Sequence, residues 1–259
     1  MMPKSQREQI MRQLILFLSL LISIPALADN NSDDQILKLD YTGFTIWLDC
    51  DVKGAVRFRY NAQRDTGNAK RHHKFYLDKN VPKHCQQNTT KSYKGQQKTG
   101  RYDRGHLVPA NHMDSDPKAI HDSNYMTNII PQAANANRGA WLQTEEIIEC
   151  YRDIDELLVI GGVIWGSDSS DDYFYQSHGI RTPDAMWKVV LRGGKGNERV
   201  ISWVVPNTQD AKRNELDKYL VSVSEIEKMT GQKVGEVPDY LKDNKARSSW
   251  LVPKGCNKG

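Results

Sequence analysis

LLVIGGVIW, residues 157–165, is a short apolar run rich in Val and Ile, with two adjacent glycines at its centre. Such a run reads as a central strand. Two more follow, WKVVL at 187–191 and VISWVVP at 200–206, bounded by Gly, Asp or Pro and predicting further central strands. GGKG at 193–196 turns one into the next; it lacks the spacing and following hydroxyl of a phosphate-binding loop. Upstream, AVRFRY at 55–60 alternates apolar and basic residues, which predicts a half-buried strand with its arginines facing water. Trp141, Ile148 and Tyr151 fall on helical spacing in a proline-free stretch, so a helix is expected from about Asn137 to Tyr151. Ser224, three residues before Glu227 and followed by Gly231, predicts a second, capped helix. Strands and helices mix without strict βαβα alternation and without repeats. The expected fold is α+β, a mostly antiparallel central sheet with helices packed against it.

Residues 1–28 have the layout of a secretory signal peptide: Lys4, Arg7 and Arg12, an apolar run from Leu14 to Ile24, then Ala26, Leu27, Ala28. The run is well short of the roughly 20 residues that span a bilayer as a helix, and no later segment is apolar enough to cross one. Residues 29–259 read as one exported domain, periplasmic or secreted, with no Pro/Gly/Ser-rich linker to divide it. Loss of the leader removes three basic residues and one acidic one, which takes the net charge from +4 to +2. Bulk charge therefore gives no argument for a polyanionic partner. Its distribution does: no acidic residue lies between Asp78 and Asp103, while Lys79, Lys83, Lys91, Lys94, Lys98 and Arg101 are all basic. Lys98 and Arg101 are the members of this stripe nearest to Asp103 in the chain.

Cys50, Cys85, Cys150 and Cys256 form an even set in an exported chain, so two disulfides are expected. No CxxC pair suggests structural zinc. Four cysteines allow three connectivities and sequence order does not choose among them; Cys50–Cys85 with Cys150–Cys256 is carried as a hypothesis.

GRYDRGHLVPANH, residues 100–112, holds a histidine two residues after an arginine. Phosphodiester hydrolysis needs a base for water, cations for the phosphoryl group and compensation of the leaving oxygen; histidine, arginine and a hydrated divalent metal meet those needs. In an extended segment Arg104 and His106 project to one side, and Gly105 between them leaves room for substrate or metal to approach the backbone. With an ordinary histidine pKa, activity is expected to fall as pH drops through about 6.5.

DRGH at 103–106 resembles the signature of the DNA/RNA non-specific endonucleases, the ββα-metal nucleases. NYMTNIIPQAANANRGAWLQTEE at 124–146 resembles the family's second block, and KRHHKFYLD at 70–78 the segment carrying a further arginine. TPDAMWKVVL and VSEIEKMTG also look like family blocks, so the resemblance runs from about Tyr60 to the end of the chain, with little signal from Asp40 to Arg59. It implies a ββα-metal nuclease core and little sequence specificity on DNA and RNA. It also implies His106 as general base, Arg71 and Arg104 on the phosphorane, and Asn128 orienting the network. Asn137 would be the direct ligand of Mg²⁺, for which Mn²⁺ would substitute, and Glu145 would act through bound water. Arg71 and Arg104 would bind substrate and the products would carry 5′-phosphates, while Arg101 and Lys98, from the basic stripe, are expected to bind substrate as part of the approach surface. Trp141 reads as packing, and the remaining histidines as surface or structure. A homodimer is left open. The alternative is a nucleic-acid-binding protein on a catalytically disabled nuclease fold, against which stands the full set His106, Asn137, Glu145 and two arginines. A structural or adhesion domain would carry repeats or low-complexity tracts, and none is seen.

Overall fold

The structure, a computed structural model, describes residues 35–94 and 100–258. The leader at 1–28 and Lys98 lie outside the described residues. Six strands form one sheet: β1 (Ile36–Tyr41), β2 (Phe44–Asp49), β3 (Gly54–Ala62), β6 (Leu157–Ile164), β7 (Ala185–Arg192) and β8 (Arg199–Pro206), in that spatial order and antiparallel throughout. β4 (Tyr102–His106) pairs with β5 (Ile129–Ala133) in a separate antiparallel pair. The α+β expectation holds, with two corrections. VISWVVP is an edge strand rather than a central one, because among the described residues no further strand joins β8, which meets only a single antiparallel bridge from Trp203 to Leu220. β1 and β2 were not anticipated, although Phe44, Ile46 and Leu48 alternate as a half-buried strand should.

The adjacent glycines of β6, Gly161 and Gly162, have a packing reason. In the β3–β6 register Phe58 faces Gly161, and a Cβ on Gly161 would run into the Phe58 ring. A Cβ on Gly162 would meet the Trp187 indole of β7 at 2.6 Å. Two large aromatics thus cross the sheet where β6 offers no side chain.

Alternation along β7 separates two cores. Met186 and Val190 join the larger one with Phe58, Tyr60, Ile147 and Ile148; Trp187 and Val189 join a smaller one with Ile160, Val223 and Ile226. Truncating a fully buried residue such as Ile148 to Ala removes about 2–5 kcal/mol. The larger core is covered by α1 (Pro117–Ser123) and α2 (Leu142–Arg152), the smaller by α3 (Val223–Thr230). α3 does carry a capping box, but it is Ser222 with Glu225, two residues earlier than expected, with Gly231 at φ 70° closing the helix. Glu227 instead accepts from Val234 N at 2.8 Å and pairs with Lys242.

Arg57 does not face open water: its guanidinium donates to Glu236 at 2.7 Å and to Lys233 O at 2.8 Å. The disulfides are Cys50–Cys85 and Cys150–Cys256, the pairing carried from the sequence. No helix among the described residues is long and apolar enough to cross a membrane.

Candidate active site

β4 ends where two backbone locks begin. His106 O accepts from Trp141 Nε1 at 3.1 Å, and Leu107 N donates to Asn128 O at 3.0 Å. The Asn128 amide then takes Val108 N at 2.9 Å and gives its own N–H groups to Val108 O and Ser123 O, both at 2.8 Å. Asn128 is completely buried and does not line the cavity into which His106 opens. It fixes the chain that follows His106 and cannot touch substrate. Gly105 also differs from expectation: a Cβ there would collide with the buried Gln132 side chain, so the glycine makes room for β5 rather than for substrate.

Arg104 and His106, two apart on β4, both line a cavity of about 340 Å³ together with Arg71, Asn137 and Glu145. Between the first two stands Phe75, which sequence reading missed. The Arg104 guanidinium lies 4.0 Å over its ring, and the imidazole of His106 is 5.6 Å from it, centre to centre. Arg104 is further held by Thr90 O at 2.7 Å. Arg71 is exposed at the rim and has no hydrogen bond or ion pair among the described residues.

His106 Nε2 lies 2.9 Å from Asn124 Oδ1, and the Asn124 amide is oriented by Nδ2 donating to His72 O at 3.3 Å. An amide oxygen only accepts, so Nε2 carries the proton and Nδ1 keeps a lone pair. Burial pushes the imidazole down to about 4; the Asn124 bond opposes this, and the Arg71 and Arg104 charges add to it. At neutral pH His106 is therefore a neutral base, well below the ordinary value assumed from sequence.

Asn137 does not begin a helix. Helical backbone starts at Ala134–Ala136 and passes through a wide turn, Asn137–Trp141, with Gly139 off helical angles before α2. Gly139 lies where a Cβ would meet Ala211 O at 2.8 Å, so a neighbouring segment packs against the break. Eight residues of regular helix would set Asn137 and Glu145 about 80° apart. The wide turn takes up that offset, and both line the same cavity. Asp103, the first residue of DRGH and unassigned from sequence, accepts from Asn137 Nδ2 at 3.0 Å and from Arg138 twice at 2.7 Å. That bond leaves Asn137 Oδ1 as the free end of the amide.

Glu145 is pushed up by burial, with Lys188 and Arg71 opposing. Lys188, completely buried on β7, is pushed down by burial, donates to Thr144 Oγ1 at 2.8 Å and sits 3.7 Å over the Trp141 ring. Trp141 is thus packing, as read, and also a tie to His106. His112 is buried behind the site, with Tyr60 Oη 2.8 Å from Nδ1 and Glu145 O 3.2 Å from Nε2. Arg101 is exposed and outside the cavity lining.

An amide oxygen and a carboxylate are hard oxygen donors, suited to Mg²⁺, Mn²⁺ or Ca²⁺ and not to a thiolate-loving metal. Elsewhere among the described residues, Cys50, His84 and Cys85 cluster, but both sulfurs are spent in a disulfide.

Comparison with known proteins fits this arrangement. The mitochondrial nuclease EXOG of Xenopus laevis is 29% identical over 180 residues, 65% of this chain and 49% of its own length. A nuclease of Nostoc is 28% identical over 233 residues, 81% of this chain and 80% of its own. This chain spans about half the length of the mitochondrial relative. A chain in the solved EndoG/EndoGI complex shares the fold, with TM-score 0.61 at 18% identity over 79% of this chain and 88% of that one. The family match covers residues 26–241, taking in the Asp40–Arg59 stretch, where the motifs give little signal, and stopping short of the end of the chain. The chain thus shares the fold of that ββα-metal nuclease, and it belongs to the DNA/RNA non-specific endonuclease family.

Proposed function

We propose that the protein is an exported, Mg²⁺-dependent endonuclease that hydrolyses phosphodiester bonds of DNA and RNA with little sequence specificity, leaving 5′-phosphates. The observation that carries this reading is the open Nδ1 of His106, set by the Asn124 bond, in one cavity with two arginines and an oxygen donor pair. His106 Nδ1 takes the proton of the attacking water as its oxygen bonds to phosphorus. Arg71 and Arg104 hold the non-bridging oxygens, whose charge grows as the P–O3′ bond breaks; O3′ departs with the bonding pair and is protonated from solvent. A divalent cation bound to Asn137 Oδ1, and through water to Glu145, would supply charge compensation at the phosphoryl and leaving oxygens. Asn128 and Trp141 act only by fixing His106. Arg101, with Lys98, is assigned to the approach surface for the substrate backbone.

Residues 29–259 act as one domain in this reading, after export through the leader at 1–28. Support comes from the paired cysteines and from bacterial relatives named as nucleases. The test is cleavage of single- and double-stranded DNA and RNA by the mature chain with Mg²⁺, beside His106→Ala. Turnover should drop by about 10²-fold or more in that variant with substrate binding kept; equal turnover moves the base elsewhere.

A further inference from the structure

The α2 wall of the cavity presents Glu145, Glu146 and Glu149, three carboxylates on the path of a polyanion. Glu149 is neutralised by Arg152 at 2.6 Å. Glu146 receives both terminal nitrogens of Arg213, each at 2.7 Å, and Lys258 Nζ lies 3.1 Å from its Oε2. The Arg213 fork already meets both oxygens of Glu146, so Lys258 can turn away without stranding that charge. Its side chain is 49% exposed and lines the same cavity as Arg71, Arg104 and His106.

The segment leading to Lys258 is strapped down in stages. Ser249 N donates to Asp217 Oδ1 at 2.8 Å, Trp250 packs on Tyr151 with ring centres 5.1 Å apart, and Leu251 O accepts from Tyr151 Oη at 3.2 Å. Beyond Leu251 comes the Cys150–Cys256 bridge to α2. Lys258 is two residues past Cys256, which keeps its Cα within about 7 Å of a covalent anchor.

We propose that Lys258 is a substrate-binding residue, held at the cavity by the Cys150–Cys256 disulfide, that takes a backbone phosphate flanking the one being cleaved. This rests on the nuclease reading. A lysine near Glu146 offsets the acidic wall and gives the strand a further electrostatic contact in the cavity that Arg71 and Arg104 line. Opening the disulfide removes that contact while His106, Asn137 and both arginines stay in place.

The test uses the mature chain with His106→Ala to prevent turnover. Binding of a fluorescein-labelled oligothymidylate of about a dozen nucleotides is followed by anisotropy over a KCl series, since the slope counts phosphate contacts. Lys258→Gln should weaken binding severalfold and lower the slope by about 0.7, one single-strand phosphate contact; Lys258→Arg should restore both. Cys150→Ser with Cys256→Ser should match Lys258→Gln, and adding Lys258→Gln to it should change nothing more. In the active chain Lys258→Gln should raise KM for plasmid DNA with kcat within about twofold. Unchanged affinity and slope in Lys258→Gln overturns the proposal. A Cys150→Ser, Cys256→Ser chain that keeps the full Lys258 contribution overturns the role of the bridge. Failure of the unmutated chain to cleave with Mg²⁺ sinks the nuclease reading instead, while the anisotropy series still measures the phosphate contact.

Discussion

Asn124 Oδ1 lies 2.9 Å from His106 Nε2, and this contact assigns the proton to one ring nitrogen and the lone pair to the other. Asn124→Ala should let the tautomer change and the ring turn. In the proposed mechanism kcat falls by about 10- to 100-fold with little change in KM, the range seen when an orienting partner is lost. Steady-state kinetics on plasmid DNA checks it; wild-type kcat in the variant shows that Phe75 and the backbone alone orient the ring.

The pH profile should have an acid limb lower than an ordinary histidine would give. His106 must be neutral to accept a proton and stays so down to about 4, so its loss of function belongs near that pH in kcat/KM. Glu145 is raised above the usual carboxylate range and takes up a proton earlier on acidification. A decline between pH 7 and 5 is therefore assigned to Glu145 losing its hold on the hydrated cation, and raising Mg²⁺ about tenfold should relieve it. A decline centred near 6.5 and insensitive to Mg²⁺ counts against both statements.

Chelation by EDTA should abolish cleavage, and Mg²⁺ or Mn²⁺ should restore it. Asp103→Ala frees the Asn137 amide and unpairs Arg138, so the Mg²⁺ concentration for half-maximal rate should rise by about 10- to 100-fold. A titration with no shift shows that Asp103 serves only its pairing with Arg138.

His112 makes folding sensitive to acid. It is pushed well below the ordinary value by burial, with Arg152 and Lys188 adding to the effect. Glu149 lies 3.3 Å from Nε2, but its charge is engaged by Arg152, so it does not hold an imidazolium. The native state keeps His112 neutral while the unfolded chain protonates it below about 6.5, so its stabilising contribution is present above that pH and lost as pH falls below it. Glu145 acts in the opposite sense between pH 5 and 7, since burial raises its native pKa. The comparison is therefore between variants: the loss of Tm from pH 7.5 to 5.5 should be smaller in His112→Gln than in the unmutated chain. Equal losses in the two place the acid sensitivity in other groups.

Arg71, Arg104, His106, Asn137 and Glu145 were legible because strand alternation, helical period and family motifs all act on neighbours in the chain, and the cavity brings the five together. Asn124 and Phe75 were not, because a hydrogen-bond acceptor 18 residues from its histidine and a ring slipped beneath an arginine leave no periodic trace. How Asn128 orients the network was not legible either: it acts by holding the backbone at Val108 and Ser123, contacts that leave no trace in the sequence. The two-residue error in the α3 cap has a local cause, since VSVSEIE offers two serines, each three residues before a glutamate. Only the tertiary contacts of Glu227 with Val234 and Lys242 choose between them.

The order of strands across the large sheet is also their order along the chain once β4 and β5 are set aside. The sheet is a plain up-and-down meander, and residues 63–156 are what the chain does between two adjacent strands, β3 and β6. Every residue assigned to proton transfer or metal binding comes from that one excursion, while the meander supplies Lys188 from beneath. Lengthening such a connection costs little, about 0.6 kcal/mol for each doubling of a flexible loop. Catalysis here is thus housed in an oversized hairpin loop, and the strands it joins would be topologically complete without it.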